Sequence, residues 1–499
     1  MIFNFKRFTP ENIVIENIEP CCENWQALDN FDPANYPILL ESTSKDNRFG
    51  RHTIMSTKPI CILTLRGFEL FVTFENETIK LADTPEVFWK ILAEAFDAIT
   101  LKSTEYDSLD YTPGWAGFIG YEVARLTEIL PKSCARDTAM PDMQLALYDS
   151  IAITDTQSNQ TKIITLKFPN KSIEESQSRA NLFEALLVSK NPDLEKQAIS
   201  HEIAAKKNAP NLKKLKSNFS PSDYKNSIQH AIEYIKAGDI FQVNMTQRFE
   251  FENPPAPLLA YRALSKINPA WYAAFLEFSS SEFLSNPKSK KSCAIISCSP
   301  ELFISCKQDQ ISTRPIKGTR PRFEDKIKDN ISREELLASS KDNAELAMII
   351  DLLRNDLGKV CTPGSVQVKH PCNLESHPTV FHLVGTVEGK LNPSTNHAEV
   401  LRATFPGGSI TGAPKIRAME IIDELERNTR SVYTGIIGMF CANRNAQWNI
   451  AIRTIFYDDN KAFASAGGGI VADSVPQNEY EETLHKANAM IRVLQNLEN

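Results

Sequence analysis

A lysine in a tight, proline-led turn is the first feature of this sequence that suggests chemistry. The segment "PIKGTRPR", residues 315–322, holds Lys317 directly before Gly318 and Thr319. Proline restricts the backbone and glycine permits close approach, so the direction of the lysine amine is restricted. These residues alone leave two interpretations open: a solvated charge on a surface loop, or a nucleophile that points into a pocket.

Two pairs of carboxylates at three-residue spacing are the second candidate for chemistry. Asp342 and Glu345 form one pair, and Glu479 and Glu482 form the other. Residues three apart share a face of a helix, so each pair would present its carboxylates together. Two such pairs would suit Mg²⁺, which takes oxygen ligands and keeps some of its waters. The alternative is that both pairs are solvated surface charges.

Two glycine-rich stretches, residues 405–420 and 464–474, are candidates for binding an anion. The first, "FPGGSITGAPKIRAME", runs from a loop into a predicted helix, whose N-terminal amides can receive negative charge. Neither stretch has the spacing of a nucleotide-binding loop. Arg453, in "NIAIRT", is the residue type that binds a carboxylate through two parallel hydrogen bonds. A carboxylate is therefore the better candidate ligand.

Hydrophobic periodicity predicts that both carboxylate pairs lie on helices. The segments 339–360 and 478–497 carry apolar residues at helical spacing. A third helix is predicted from Ser220, with the residue type of an N-cap, and Pro221 to Gly238, with the residue type of a C-terminal stop.

Strict alternation of apolar and polar residues predicts a strand over residues 239–252. One face of this strand is apolar. The other face is either solvated or lines a polar cavity, and it carries Gln242, Asn244, Thr246 and Arg248.

Length and composition are those of a soluble globular protein with more than one structural unit. The chain has 499 residues, 42% of them hydrophobic and 23% charged, with a net charge of -7. Such a charge does not attract nucleic acid. We see no signal peptide or apolar run long enough to span a membrane, so we expect a cytoplasmic protein. The ten cysteines lack the spacing of a zinc site, so we expect reduced thiols.

A change in composition divides the chain into three regions. Residues 196–222 are polar, lysine-rich and weakly periodic, which predicts a surface linker. It separates an N-terminal region, residues 1–195, from a C-terminal region, residues 223–499, that contains most of the candidate chemistry.

Several segments, in this order, resemble the chorismate-utilising enzymes. They are "PIKGTRPR", "DLLRNDLGKV", "FPGGSITGAPKIRAMEIIDELE", "NIAIRT" and "AGGGIVADSVPQNEYEET". The resemblance is dense over residues 220–499 and looser in the N-terminal region, where "PILLES" carries it. It implies an α+β fold with two large facing β-sheets, helices packed outside, and the N-terminal region built into the same fold.

The resemblance also implies roles for individual residues. In this family Mg²⁺ binds the ring carboxylate of chorismate. Glu345 and Glu482 match its direct ligands, and Asp342 and Glu479 match flanking positions that act through water. The remaining matches are to substrate-binding positions: Thr319, His382, Ser409, Tyr433, Arg453, Gly468 and Lys486.

Two positions distinguish members of the family by their nucleophile. Members that attack with water have a lysine where this chain has Gln242, and glutamine cannot accept the proton. Anthranilate synthases typically have alanine at the position of Lys317, whereas "PIKGT" resembles the aminodeoxychorismate synthases. The resemblance implies that Lys317 is a nucleophile and that Glu301, in "SPELF", is the acid. The implied reaction makes 4-amino-4-deoxychorismate from chorismate and ammonia, for p-aminobenzoate and folate.

The resemblance further implies a partner and a second ligand. We find no cysteine motif of a glutamine amidotransferase, so we expect ammonia from a separate glutaminase subunit. Glu41, Ser42, Asn268 and Pro269 match segments that bind tryptophan in anthranilate synthases, and the alternative is a plain core contact. Two other functions stay open: anthranilate synthase component I, or a non-catalytic subunit that binds chorismate or tryptophan.

Overall fold

The structure is a computed structural model that describes residues 3–44, 50–169, 171–187, 191–207, 209–212, 215–279, 292–377 and 380–496. Its strands are β1 (Asn12–Ile18), β2 (Ile38–Glu41), β3 (His52–Ser56), β4 (Cys61–Arg66), β5 (Glu69–Phe74), β6 (Glu77–Ala82), β7 (Gly114–Ile119), β8 (Met143–Leu147), β9 (Ser150–Asp155), β10 (Gln160–Lys167), β11 (Lys216–Ser217), β12 (Gln242–Glu252), β13 (Tyr272–Ser279), β14 (Ser292–Ser299), β15 (Leu302–Lys307), β16 (Gln310–Arg314), β17 (Ile316–Pro321), β18 (Gln367–Ser376), β19 (Val380–Lys390), β20 (Gly412–Ala413), β21 (Ile436–Cys441), β22 (Ala446–Ile450), β23 (Thr454–Asp458) and β24 (Lys461–Ile470). Its α-helices are α1 (Asn24–Ala27), α2 (Pro85–Ala98), α3 (Gln177–Leu187), α4 (Pro192–Lys207), α5 (Pro221–Ala237), α6 (Pro257–Ile267), α7 (Lys326–Ala338), α8 (Ser340–Gly358), α9 (His397–Thr404), α10 (Lys415–Leu425) and α11 (Pro476–Asn496).

Two antiparallel sheets, each of twelve strands within the described residues, form the body of the protein. The first sheet has the order β1-β10-β9-β3-β2-β13-β14-β23-β24-β12-β11, and β20 pairs with β12. The second has the order β17-β19-β16-β15-β22-β21-β7-β8-β4-β5-β6, and β18 pairs with β19.

The two sheets face each other across a shared hydrophobic core. Phe278 of the first sheet stacks on Phe118 of the second, with ring centroids 6.0 Å apart. A second apolar cluster lies between the first sheet and helices outside it, and includes Ala198 of α4, Leu264 of α6 and Ile491 of α11. The predicted α+β fold with two facing sheets and outer helices is therefore confirmed.

The predicted N-terminal and C-terminal regions contribute strands to both sheets. Leu40 of β2 pairs with Ala274 of β13 in the first sheet, and Gly117 of β7 pairs with Gly438 of β21 in the second. The predicted linker, residues 196–222, is not extended throughout, because the second part of α4 lies within it. The small buried residues of α4 pack against neighbouring helices but give only a weak apolar pattern, which explains why the sequence reads as a linker.

The elements predicted near the candidate chemistry are present. The helix predicted from Ser220 is α5, whose first turn is capped by the Ser220 hydroxyl; this oxygen accepts a hydrogen bond from the Asp223 amide at 3.1 Å. Gly238 ends that helix at φ 86°. The predicted strand is β12, and the two carboxylate helices are α8 and α11.

Two further expectations concern cysteines and membrane spans. All ten cysteines are free thiols. Among the described residues, no helix combines the length and the apolar character that a membrane crossing requires.

Candidate active site

Gly318 determines how β17 carries the candidate lysine past two helices. It has φ +69°, and the pairing of β17 with β19 shifts register between Lys317 and Thr319. A Cβ added at Gly318 would lie 2.9 Å from Cδ1 of Leu336 and 3.0 Å from Cβ of Asp342. Only glycine tolerates both this backbone conformation and this contact.

Lys317 is partly exposed, and its amine lies among charged groups. Burial of its amine lowers the pKa of Lys317, although Glu345 and Glu301 oppose this shift. The ammonium of Lys486 adds to the lowering, whereas Glu482 also opposes it. A lysine with a lowered pKa has more of the neutral amine that a nucleophile requires. These charges around the amine favour the interpretation in which Lys317 points into a pocket, and its role as a nucleophile stays a prediction.

Glu301 lies beside Lys317 at the junction of β14 and β15. Its residue is 4% exposed, and burial raises the pKa of its carboxyl to about 7, against the opposing effects of Ser409 and Lys317. Oε1 of Glu301 has no hydrogen-bond partner among the described residues. The amine of Lys317 donates to the backbone oxygen of Ser409 at 3.4 Å. A carboxyl that is half protonated near neutral pH can act as an acid.

The glycines of β24 leave space beside the lysine. A Cβ at Gly469 would lie 3.5 Å from Nζ of Lys317 and 2.3 Å from Nε2 of Gln242. Oε1 of Gln242 and Oδ1 of Asn244 have no hydrogen-bond partner among the described residues. The polar face of β12 therefore lines a buried polar space at this end of the strand, and it is not solvated.

Helices α8 and α11 bring the four predicted carboxylates to one side of this space. A Cβ at Gly468 would lie 3.1 Å from Oε2 of Glu479 and 3.5 Å from Oε1 of Glu482. Burial raises the pKa of Glu345; Lys317 opposes this shift, and the negative charges of Asp342 and Glu482 add to it. Since like charges act on one another here, the two helices place their acids close together.

Each of three carboxylates also has a partner from the protein. Asp342 binds Arg320 at 3.0 Å, and Glu482 binds Lys486 at 2.6 Å. Burial alone would raise the pKa of Glu482, but the ion pair with Lys486 makes the net shift downward. The hydroxyl of Ser474 donates to Glu479 at 2.7 Å, yet burial keeps the pKa of Glu479 raised.

The metal predicted at this cluster stays a prediction. Within the part of the chain that the structure describes, no group of three or more His, Cys, Asp or Glu side chains is arranged to hold a metal ion. Asp342 and Glu482 are paired instead with Arg320 and Lys486. The donor set nevertheless consists of carboxylate oxygens alone, and this chemistry fits Mg²⁺.

Residues predicted to bind the carboxylates of the substrate lie next to the acidic cluster. Nη1 of Arg453 donates to the backbone oxygen of Lys486, and Nζ of Lys486 donates to the oxygen of Gly467 at 3.0 Å. Burial lowers the pKa of Arg453 and raises that of Tyr433 to about 12. Arg453 has φ 52°, so its backbone is in the left-handed region that a non-glycine residue seldom adopts. Such strain occurs most often at functional sites.

His382 and Thr319 contact each other across the β17–β19 pair. Oγ1 of Thr319 and Nδ1 of His382 are 2.9 Å apart. Burial, together with His377, lowers the pKa of His382 to about 3, so its ring is neutral at neutral pH. The pair lies close to Lys317 along β17 and can present a neutral ring to a ligand.

The sequence reasoning missed residues that act on the carboxylates. Lys341 contributes positive charge to Glu345, Glu479 and Glu482. Its position four residues before Glu345 on one helix was a usable signal. No signal in the sequence indicates that Arg320 pairs with Asp342, because that contact depends on the bulge in β17.

The two segments predicted to form a tryptophan pocket lie side by side. The amide of Thr43 donates to the oxygen of Ala270 at 2.9 Å, and Glu41 accepts a hydrogen bond from the Tyr261 hydroxyl at 2.6 Å. A cavity beside Glu41 has a volume of about 40 Å³. Ser42 does not line that cavity.

The other half of the predicted pocket also makes contacts within the protein. Nδ2 of Asn268 donates to the oxygen of Cys298 at 3.4 Å. Neither Asn268 nor Pro269 lines the cavity beside Glu41. The core contact between the two segments is thus observed, whereas a bound tryptophan stays a prediction.

Comparison with known sequences gives the same family over most of the chain. A model of the family described as chorismate binding enzyme matches residues 51–492. Aminodeoxychorismate synthase component 1 of Escherichia coli is 36% identical over 462 residues, covering 92% of this chain and 93% of that relative. Anthranilate synthase component 1 of Aquifex aeolicus is 33% identical over 467 residues, covering 93% and 90%.

Solved structures share the fold. Anthranilate synthase component I from Streptococcus pneumoniae superimposes with a TM-score of 0.68 at 30% identity, covering 88% of this chain and 92% of that chain. The menaquinone-specific isochorismate synthase of Escherichia coli has a TM-score of 0.67 at 17% identity, covering 98% and 95%. At that identity the second structure supports the fold alone.

The pKa of Glu301 predicts a pH-dependent stability difference. The pKa rises from 4.5 to about 7 on folding, so folding favours the protonated acid. This contribution to stability is complete below about pH 4.5 and is lost as pH rises through about 7. Glu301→Gln, which carries no charge, should therefore gain stability relative to wild type between pH 5 and pH 8, by about 3 kcal/mol. Urea unfolding at both pH values measures this difference.

The matched control is Glu481→Gln on α11, whose side chain is exposed. Its stability relative to wild type should be the same at both pH values. A pH-independent difference for Glu301→Gln would show that Glu301 is an ordinary carboxylate in the folded protein.

Proposed function

Because the chain belongs to the chorismate binding enzyme family, we propose that it converts chorismate and ammonia to 4-amino-4-deoxychorismate. The product leads to p-aminobenzoate and folate. The observation that carries this proposal is the amine of Lys317, which lies among charged groups that include Glu301 and has a lowered pKa. Relatives named aminodeoxychorismate synthase component 1 support it, including that of Escherichia coli at 36% identity.

In the proposed first step the neutral amine of Lys317 adds to C2 of the chorismate ring. Both ring double bonds shift, from C1=C2 to C1=C6 and from C5=C6 to C4=C5, and the hydroxyl on C4 departs. Glu301 gives its proton to that oxygen, which leaves as water. The raised pKa of Glu301 makes the protonated acid available near neutral pH.

In the proposed second step ammonia adds to C4 and the amine of Lys317 is expelled from C2. Two displacements replace one difficult substitution, which is the benefit of covalent catalysis. The enolpyruvyl group stays on the product, so no pyruvate is released. The oxygens of Gln242 and Asn244 have no hydrogen-bond partner among the described residues and can accept hydrogen bonds from ammonia.

The carboxylate cluster would hold Mg²⁺ through Glu345 and Glu482, with Asp342 and Glu479 acting through water. When bound, the ion would neutralise the ring carboxylate of the substrate. Arg453, Tyr433, Ser409, Lys486 and the backbone of Gly468 would orient the carboxylates so that C2 faces Lys317. Holding the reacting atoms in the correct orientation lowers the activation barrier, because most of the entropic cost of orienting them is met on binding.

Ammonia would come from a separate glutaminase subunit. The relatives named component 1 are consistent with a protein of two components. The main alternative function is that of anthranilate synthase component I, which the relative from Aquifex aeolicus favours. Lys317 argues against it, because anthranilate synthases typically have alanine at this position. Lys317 and the complete acidic set also argue against a non-catalytic subunit that binds chorismate or tryptophan.

Product identification tests the proposed reaction. The purified chain with chorismate, Mg²⁺ and ammonium at alkaline pH should form 4-amino-4-deoxychorismate without pyruvate, as measured by chromatography and mass spectrometry. Glutamine as the only nitrogen source should give no turnover until a glutaminase subunit is added. Fluorescent anthranilate with an equal amount of pyruvate would establish the alternative function, and chorismate binding without any turnover would establish a binding subunit.

The carboxylate cluster predicts a strict requirement for two residues. Glu345→Ala and Glu482→Ala should each reduce turnover by more than about 100-fold, because direct ligands matter at least as much as outer ones. Melting temperatures should stay near wild type, since Glu345 is only partly buried and the side chain of Glu482 is 48% exposed. Matched controls on the same helices are Asp351→Ala, whose side chain is 74% exposed, and Glu481→Ala. Near-normal turnover of Glu345→Ala without added Mg²⁺ would disprove the site.

The role of Lys317 predicts a loss of turnover greater than the loss of affinity. Lys317→Ala removes the covalent step and should lower kcat by orders of magnitude, whereas the KM for chorismate should change little, since Arg453 still binds a carboxylate. Lys328→Ala, an exposed lysine on α7, should be close to wild type. Intact-mass measurement of wild type with chorismate and no ammonia should reveal an adduct on Lys317. An unmodified lysine, with a variant as fast as wild type, would contradict the nucleophile.

A further inference from the structure

Arg430 is a buried arginine that lies behind the site and does not face the substrate space. It follows α10, and the residue is 4% exposed. Its guanidinium forms an ion pair with Glu426 at 2.7 Å, and the two side chains are 2% and 3% exposed. A pair this deeply buried needs further hydrogen bonds to offset the loss of hydration.

All five guanidinium N–H donors of Arg430 have acceptors. Nε donates to Glu426 at 3.0 Å, and Nη2 donates to the same carboxylate at 2.7 Å. Nη2 also donates to the oxygen of Asn244 at 2.7 Å. Nη1 donates to the oxygen of Ile410 at 3.0 Å and to Oγ1 of Thr434 at 3.4 Å. The donor capacity of an arginine is thereby used in full.

The three acceptors other than Glu426 belong to three separate segments of the candidate site. Asn244 is on β12, two residues after Gln242. Ile410 directly follows Ser409 in the glycine-rich loop, and Thr434 directly follows Tyr433. The guanidinium of Arg430 is thus hydrogen-bonded to the strand and to two segments that are predicted to bind the substrate.

The partner of Arg430 strengthens one of these links. Oε1 of Glu426 also accepts hydrogen bonds from the amide and the hydroxyl of Thr246, both at 2.9 Å. Both members of the ion pair, Arg430 and Glu426, therefore form hydrogen bonds with β12. Charge-assisted bonds in a buried network keep their geometry better than solvated ones.

The turn after Arg430 is strained and needs such support. Ser431 has φ 55° and Thr434 has φ 61°, both in the left-handed region. Non-glycine residues stay there only when their surroundings hold them. The bond from Nη1 of Arg430 to Thr434 fixes the end of this turn, and so fixes the backbone that carries Tyr433.

We propose that Arg430 is a positioning residue that sets the relative places of β12, Ser409 and Tyr433 around the chorismate carboxylates. It rests on the proposed function only in assuming that chorismate occupies this site. A lysine at this position would keep the charge opposite Glu426, but it cannot reach the three separate acceptors with a planar fork. Arg430→Lys thus retains the positive charge opposite Glu426 and loses the hydrogen bonds to the three other acceptors.

The test compares Arg430→Lys with wild type in two measurements on folded protein. The KM for chorismate should rise by about tenfold, because a displacement of about 1 Å at a site is costly. The Kd for chorismate, measured without ammonia in a Lys317→Ala background where no covalent adduct forms, should rise by the same factor. Arg427→Lys is the matched control. Arg427 binds Asp223 and the oxygen of Asn218, but its side chain is 52% exposed, and its KM and Kd ratios should be near 1.

A purely structural role predicts another pattern. Partial unfolding would lower the apparent kcat in proportion to the unfolded fraction and would leave KM and Kd at wild-type values; that result would overturn the proposal. If Arg430→Lys does not fold, the double variant Arg430→Met with Glu426→Met takes its place, because it removes both charges together. Its KM and Kd for chorismate are compared with those of wild type in the same way. The product that wild type forms tests the proposed function separately, since Kd ratios can be measured whichever product is made.

Discussion

Charged groups of both signs lie close together at the candidate site, and the rest of the structure depends on that constraint. Removing an ion from water is costly, so a buried charge normally loses or gains a proton or finds a partner. Here Lys317 has a lowered pKa and Glu301 a raised one, so both shift toward their neutral forms. Only a rigid surrounding can maintain such an arrangement, because relaxation would let water or counter-charges in.

The two sheets provide that rigidity and also the space. Glycines in β24 leave the volume that side chains would fill, and Gly318 lets β17 pass close to α7 and α8. The first sheet carries β12 and β24, and the second carries β17, so the site lies where elements of both sheets meet. The N-terminal region supplies strands to each sheet and thereby stabilises a site to which it contributes none of the predicted catalytic residues.

Local patterns in the sequence were sufficient to predict the helices and strands near the site, but they did not predict the contacts between them. Helix α5, strand β12 and the helices of the carboxylates follow from periodicity and capping residues. The polar face of β12 could be solvated or buried on sequence grounds, and only its pairing with the glycines of β24 decides this. The pairing of Asp342 with Arg320 likewise requires knowledge of the bulge in β17. The helix within residues 196–222 gave too weak a pattern because its buried residues are small.

The pKa of Lys317 is lowered and that of Glu301 is raised, and the two shifts together favour proton transfer between the groups. In water the pKa values of a lysine and a glutamate differ by about six units, so the proton stays on the amine. Burial moves the two values toward each other in this site, with that of Glu301 reaching about 7. The neutral pair, a free amine beside a protonated acid, then costs much less relative to the ion pair. That neutral pair is the form in which one group can attack a ring carbon while the other protonates a departing hydroxyl. The same burial that makes the site expensive to fold therefore prepares both groups for the proposed reaction.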